Sequence, residues 1–228
     1  MTEKERLIQD FHVFTENPTS RVPICLCVDI SGSMQGNKID SLNAGLRQFI
    51  KELCEDDVAQ YAAEVCIIGF GGNSEVKLIC DFTSVTNINP PILPASGNTP
   101  IGKAVEVALD RLNARKELYK SVGNHYYQPW LVIMTDGLAT DDPTMSASVS
   151  SQMVKDRKLT VLPIAIGAQA DVRTLQMFSP KTPPLFLDEL KFSEFFEWLS
   201  KSVSRFVSSK SSDTFEPNFQ KTKWTSVK

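Results

Sequence analysis

An α/β domain with a mostly parallel, six-stranded sheet and helices on both faces is the architecture this sequence predicts. Three observations carry the prediction. Apolar, strand-like runs alternate with segments of helical periodicity from residue 22 to residue 207. The first run, residues 22–28, is apolar at every position except Pro23. It shows no inside–outside alternation, as expected of a parallel strand covered by helices on both faces. At 228 residues, with 42% hydrophobic and 22% charged side chains, the chain can build one domain with a substantial core.

Residues 1–20 are polar with apolar anchors at Leu7, Ile8, Phe11 and Phe14, and read as an arm docked on a domain spanning 21–209. His12 lies in that arm in a surface or packing role. After the first strand, Ile39, Leu42, Leu46, Phe49, Ile50 and Leu53 recur at helical spacing and predict a helix over 38–54. Residues 65–70 are a second strand, Gly71-Gly72-Asn73 a turn, and 75–82 a third strand, an antiparallel edge partner with Lys77 facing water. A proline-containing loop ends at Gly97-Asn98-Thr99-Pro100. Ile101, Ala104, Val105, Ala108, Leu109 and Leu112 then line one face of a helix over 101–118. Residues 130–134 are the fourth strand, closed by Thr135-Asp136-Gly137. Asp142-Pro143 predicts an N-cap with proline at the first helical position, opening a helix that runs to residue 157. A fifth strand over 159–166, a short helix over 171–177 and a brief strand at Leu185–Leu187 follow. The last helix, 192–207, sets Phe192, Phe195, Phe196, Leu199, Val203 and Phe206 on one side, and Trp198 reads as core. Residues 210–228 are a Ser- and Lys-rich tail whose Phe215, Phe219 and Trp224 read as docking on the body or on a partner.

The net charge is −3, from 24 Lys and Arg against 27 Asp and Glu, so no basic field points to nucleic acid. No apolar run reaches the length of about 18 residues that a membrane span needs. The segment Met1-Thr2-Glu3-Lys4-Glu5-Arg6 lacks the apolar core of a signal peptide, and a cytoplasmic location is expected. The five cysteines, Cys25, Cys27, Cys54, Cys66 and Cys80, are odd in number and form no CxxC pair. Cys25, Cys27 and Cys66 lie in apolar runs and read as small buried hydrophobes in a reducing compartment.

Function is concentrated where strands end. Asp29-Ile30-Ser31-Gly32-Ser33 follows the first strand and puts one carboxylate and two hydroxyls at alternate positions. A buried carboxylate is costly unless its charge is compensated, and a divalent cation would compensate it. Asp136 follows the fourth strand, and Thr99 opens a helix on the same rim if the winding is regular. Ligands of open α/β sheets bind beyond the carboxyl ends of the strands. All five candidate ligands are oxygens, which select Mg²⁺, Mn²⁺ or Ca²⁺ over zinc or copper. Two carboxylates and three hydroxyls suit Mg²⁺, which keeps several waters, and so few protein anions leave an ion electrophilic. Taken singly, the residues have plainer readings: Ser31 and Ser33 as turn residues, Thr99 as an N-cap before Pro100, and Asp136-Gly137 as a tight turn.

The set resembles the metal-ion-dependent adhesion site of von Willebrand factor type A domains, whose pattern is D-x-S-x-S, then a threonine, then an aspartate. The resemblance implies a doubly wound sheet with one antiparallel edge strand. It also implies direct ion contacts from Ser31, Ser33 and Thr99, with Asp29 and Asp136 acting directly or through water. Position 30 is isoleucine where threonine is common in the family, and is not a ligand. Within that family the chain resembles the bacterial YegL/TerY-like group, through Glu16-Asn17-Pro18, Tyr126-Tyr127-Gln128-Pro129-Trp130, Thr140-Asp141-Asp142 and Phe195-Phe196-Glu197-Trp198-Leu199-Ser200. That likeness implies a setting in stress or tellurite-resistance gene clusters, sometimes beside kinases and phosphatases. Related domains change conformation at the last helix when the site is filled.

These features predict a non-enzymatic protein-binding module whose ion engages an acidic side chain of a protein partner. The competing readings are a metal-dependent phosphohydrolase and a structural assembly subunit docked through its aromatic tail. Against the first, no base or nucleophile stands beside the ligands in the sequence. His125, in the loop before Trp130, reads as a surface or structural residue.

Overall fold

The structure, a computed structural model, describes residues 14, 17–72 and 75–209. Leu7, Ile8, Phe11, His12, Asn73 and the aromatic tail of 210–228 lie outside the described residues. Strand β1 (Val22–Ile30) is buried along its whole length, and its side chains divide between two cores because successive Cβ atoms leave opposite faces. Val22, Ile24, Leu26, Val28 and Ile30 enter one core, while Cys25 and Cys27 enter the other. The first core also receives the apolar stripes of α1 (Asn37–Glu55) and α6 (Phe192–Ser209), and the short α2 (Ala59–Ala62). The second receives α3 (Ile101–Ser121), α4 (Thr144–Lys155) and α5 (Val172–Phe178).

The other strands are β2 (Ala63–Gly71), β3 (Glu75–Ser84), β4 (Trp130–Thr135), β5 (Thr160–Ile166) and β6 (Leu185–Leu187). They form one six-stranded sheet in the order β3-β2-β1-β4-β5-β6. All pairings are parallel except β2 with β3, which is antiparallel at the edge. This is the doubly wound, mostly parallel fold that the sequence predicts. The chain winds outward from β1 in both directions, so the topological switch lies between β1 and β4. Lys77 on β3 is exposed, as expected for an edge strand, and Cys25, Cys27 and Cys66 are buried.

Three boundaries differ from expectation in ways that matter. β1 runs two residues further than the apolar run, because Asp29 and Ile30 pair with Phe70 and Gly71 in the β2 ladder. Asp29 is therefore a strand residue and not the first residue of a loop. Pro100 and Pro143, expected to bear on the first helical turn, both stand at the N-cap position, one residue outside their helices. Asp142 still bonds, its Oδ1 accepting from the Thr144 amide at 3.0 Å, but the turn it closes holds Pro143 ahead of the helix. Trp198 is only partly buried, packed at the margin of the first core.

Close packing of α6 on α1 depends on Gly45, where a Cβ would stand 2.7 Å from the Phe196 ring. At the opposite pole of the sheet from the strand ends lies a buried charged cluster. Glu64 Oε2 accepts from Arg115 Nε at 2.7 Å and from the Tyr119 hydroxyl, and Arg21 Nε lies 3.7 Å from Oε1. Phe14, the anchor expected of the N-terminal arm, is buried with its ring centroid 5.2 Å and 5.1 Å from the two guanidinium carbons. Two cations and a phenol thus share a single carboxylate, and removing it would strand both cations in the interior. Glu64→Ala is expected to cost about 3–5 kcal/mol in urea unfolding, while Glu64→Gln, which keeps an acceptor, costs less.

Candidate functional site

Parallel registry brings the site together. Val28 pairs with Met134, so the residues that follow each, Asp29 and Thr135, emerge side by side at the carboxyl ends of β1 and β4. The Thr135 hydroxyl donates to Asp29 Oδ2 at 2.5 Å, and the Ser31 amide donates to Oδ1 at 2.8 Å. Asp29 is fully buried. Burial drives its pKa up from 3.8 to about 6, against the bonds from Ser31 and Thr135, and the neighbouring Asp136 charge adds to the rise.

Beyond Asp29 the hydroxyls line up toward the second carboxylate. Ser31 Oγ and Ser33 Oγ lie 3.0 Å apart, and Ser33 Oγ donates to Asp136 Oδ1 at 2.5 Å. Thr99 reaches the same place from the other side. A Cβ on Gly137 would sit 3.3 Å from Thr99 Oγ1 and 3.8 Å from Ser33 Oγ, so both hydroxyls face one glycine. All five residues singled out in the sequence therefore meet at the switch point between β1 and β4. Ser33 is the exposed member, while Asp29, Ser31, Thr99 and Asp136 are buried.

Backbone contacts hold the three segments in place. The Gly32 amide donates to the Gly97 carbonyl at 2.9 Å, the Ser96 amide to the Ile30 carbonyl at 2.8 Å, and the Asn98 amide to the Gly72 carbonyl at 3.1 Å. The approach at Gly97 admits no side chain: its φ is +74°, and a Cβ would fall 1.0 Å from the Gly72 oxygen. Thr99 is fixed by a reciprocal pair, its amide donating to Thr140 Oγ1 at 3.1 Å and the Thr140 amide donating to its carbonyl at 3.0 Å. Asp141 accepts from the amides of Gly102 and Lys103 at 3.0 and 2.7 Å, capping the α3 N-terminus from a neighbouring loop.

Sequence reasoning missed four contributors. Thr135, Thr140 and Asp141 orient the site and were readable only as strand-end and loop residues, since their partners are 106, 41 and 39 positions away. Lys38 was readable only as the start of a helix. Its Nζ lies 2.8 Å from Asp136 Oδ2 and 3.7 Å from Glu189 Oε1. Partial burial lowers its pKa, but the Asp136 hydrogen bond and charge, with Glu189, outweigh this and leave it above the ordinary lysine value.

The donor set fits a hard divalent cation: five oxygens, two of them carboxylate, with an ammonium group already seated on one carboxylate. Among the described residues no three His, Cys, Asp or Glu side chains are arranged to hold a metal ion, so soft or imidazole-based metal sites have no counterpart there. His125, the titratable group weighed as a catalyst, is exposed and bonds Ser20 Oγ through Nδ1 at 3.1 Å, ahead of β1. The full length of β1, roughly 25–30 Å at 3.3 Å per residue, separates it from the rim.

A doubly wound sheet with hydroxyl and carboxylate donors gathered at its switch point defines a class of ligand-binding α/β domain. The chain matches the von Willebrand factor type A domain family over residues 24–197 and belongs to it. Domains of this family commonly serve as protein-interaction modules. No curated protein sequence matches the chain. Among solved structures, it is similar to the pilus adhesin SpaC from Lactobacillus rhamnosus GG, with a TM-score of 0.64 at 16% identity, over 83% of this chain and 30% of that one. It is also similar to the vWF domain of the type V pili tip protein Mfa5 from Porphyromonas gingivalis (TM-score 0.60, 10% identity, 83% of this chain, 97% of that one). A von Willebrand factor type A protein from Catenulispora acidiphila aligns with a TM-score of 0.56 at 15% identity, over 82% of this chain and 43% of that one. The chain thus spans less than a third of SpaC, and these likenesses concern the fold.

Two outcomes follow for the ion-free protein. Native Asp29 holds its proton to about pH 6, whereas the unfolded aspartate loses it near pH 4. The native state binds more protons in that window, so stability falls as pH rises from about 4 to 7, by up to about 3 kcal/mol. Asp29→Asn should flatten that slope in urea titrations across this range. Gly97→Ala should cost about 3 kcal/mol or more, because the left-handed backbone and the Gly72 carbonyl both oppose a side chain.

Proposed function

We propose that Asp29, Ser31, Ser33, Thr99 and Asp136 hold a divalent cation, Mg²⁺ foremost with Mn²⁺ or Ca²⁺ as alternatives, and that the bound ion engages an acidic side chain of a protein partner. The observation that carries this reading is the convergence of two buried carboxylates and three hydroxyls on one point of the rim, with Ser33 Oγ 2.5 Å from Asp136 Oδ1. When bound, the ion supplies an electrophilic centre that keeps coordination positions open to an incoming carboxylate. The chain's own residues orient the donors: Thr135 and the Ser31 amide aim Asp29, Thr140 fixes Thr99, and Gly137 leaves the approach free of side-chain bulk.

Several large apolar side chains are exposed on the segments that follow or flank the rim. Leu138, two residues after Asp136, is 69% exposed, and Met145, at the start of α4, is 77% exposed. Exposed Leu190 stands on a loop whose carbonyl accepts from Ser41 Oγ of α1, and exposed Ile92 adjoins Leu93, whose amide bonds Asn43 Oδ1. The proposed role is non-enzymatic: His125 stands at the other pole, and the two carboxylates serve as ligands. Membership of the YegL/TerY-like group, a cytoplasmic location and a setting in stress or tellurite resistance rest on the sequence likeness and belong to this proposal. No helix among the described residues is long and apolar enough to cross a membrane.

Magnesium at about 100 times its dissociation constant should stabilise the protein by about 2.7 kcal/mol, raising the melting temperature by roughly 5–10 °C. Asp29→Ala and Ser33→Ala should lose this shift. A partner recovered with Mg²⁺ should be released by EDTA and missed by Asp29→Ala. Binding indifferent to both would refute the ion-bridged contact.

A further inference from the structure

Lys38 is held in place by two carboxylates, one inside the candidate ion site and one outside it. It lies in the first turn of α1, beside Asp40, and its side chain is only 23% exposed. Its ammonium points to the ligand cluster and sits 2.8 Å from Asp136 Oδ2, while Ser33 occupies Oδ1 of the same carboxylate. A second anion waits beside it. Glu189 Oε1, in the connection between β6 and α6, is 3.7 Å from Nζ, and Glu189 is half-exposed. Its carboxylate is packed over Gly167, where a Cβ would come within 2.6 Å of Oε1, so the glycine leaves the room Glu189 occupies. One lysine therefore stands between a carboxylate of the candidate ion site and a carboxylate outside it.

We propose that Lys38 is a tethered counter-cation that covers Asp136 until a divalent ion arrives and then passes to Glu189, so that this one ion pair sets the affinity of the site. The inference rests on the ion-site reading above. A divalent cation held by Asp136, directly or through water, would stand close to the ammonium now 2.8 Å from Oδ2, and like charges that close repel by several kcal/mol at the dielectric of a protein surface. The ammonium must withdraw, and Glu189 is the acceptor within its reach. Removing the lysine charge removes the competitor, and removing the glutamate charge removes the ammonium's destination. The two changes have opposite signs, and the second depends on the first.

Magnesium titration calorimetry at low ionic strength, with melting curves of the EDTA-treated proteins, tests this on the full chain. Lys38→Met should bind Mg²⁺ about ten-fold more tightly than the parent, while its ion-free form melts lower because Asp136 is left uncovered. Lys38→Arg should bind within about three-fold of the parent. Glu189→Gln should weaken Mg²⁺ binding by about two- to five-fold, and should have no effect when combined with Lys38→Met. A purely structural lysine would give a lower melting temperature with unchanged or weaker Mg²⁺ binding in Lys38→Met, and that result overturns the proposal. So does an equal Glu189→Gln effect in both backgrounds, which stays measurable if Lys38→Met fails to fold alone, by using Lys38→Gln in its place. Absence of Mg²⁺ binding by the parent and by every variant refutes the ion site itself, a different failure from an ion site indifferent to Lys38.

Discussion

The rim of this domain depends on a seam where three backbones pass without side chains between them. Gly32, Gly72 and Gly97 lie on separate connections, and their amides and carbonyls bond directly across the gaps. The Gly72 oxygen occupies the space a Cβ on Gly97 would need. That approach carries the 97–99 loop against the end of β1 and brings the Thr99 hydroxyl to the carboxylates. The hydroxyl and carboxylate cluster is thus a consequence of backbone contact, with the candidate ligand side chains mounted on a frame made by residues that have none. Peptide groups that meet in this way also satisfy one another, which a buried loop crossing requires.

The two ends of the sheet treat buried charge in opposite ways. At the amino ends of the strands, Glu64 is enclosed by Arg115, Tyr119 and Arg21, with Phe14 sealing the cluster. At the carboxyl ends, Asp29 is equally buried but its bonds come from a hydroxyl and an amide, neutral donors that leave its charge uncompensated. The elevated pKa of Asp29 expresses that deficit. Glu64 stabilises the fold at its own pole. Asp29 lowers the stability of the ion-free fold near neutral pH, and a buried charge left open is a common mark of a site reserved for a ligand.

Much of this was legible in the residues. Uninterrupted apolar runs identify buried parallel strands, and helical spacing of Ile39, Leu42 and Leu46 identifies α1, because burial on two faces or one stripe imposes those patterns. Asp29, Ser31, Ser33, Thr99 and Asp136 were readable because strand ends and helix starts in such a sheet share one rim. Lys38, Thr135, Thr140 and Asp141 were not readable as site residues, since each works through a partner that only the register between β1 and β4 or the loop crossing brings near. The end of β1 was misplaced for a related reason. Hydrophobicity stops at Val28, whereas strand pairing continues until Ile30 meets Gly71.

The two outer strands bear on how such a domain meets its neighbours. β6 is three residues long, and β3 carries Glu75 and Lys77 with shifts of register against β2 near Ile67. Short, charged and irregular borders are poor templates for adding a strand from another chain. Both edges therefore disfavour lateral growth, which favours contact with other molecules through side chains and loops over backbone ladders. A domain so bordered is less prone to zip into fibres when many copies are crowded together.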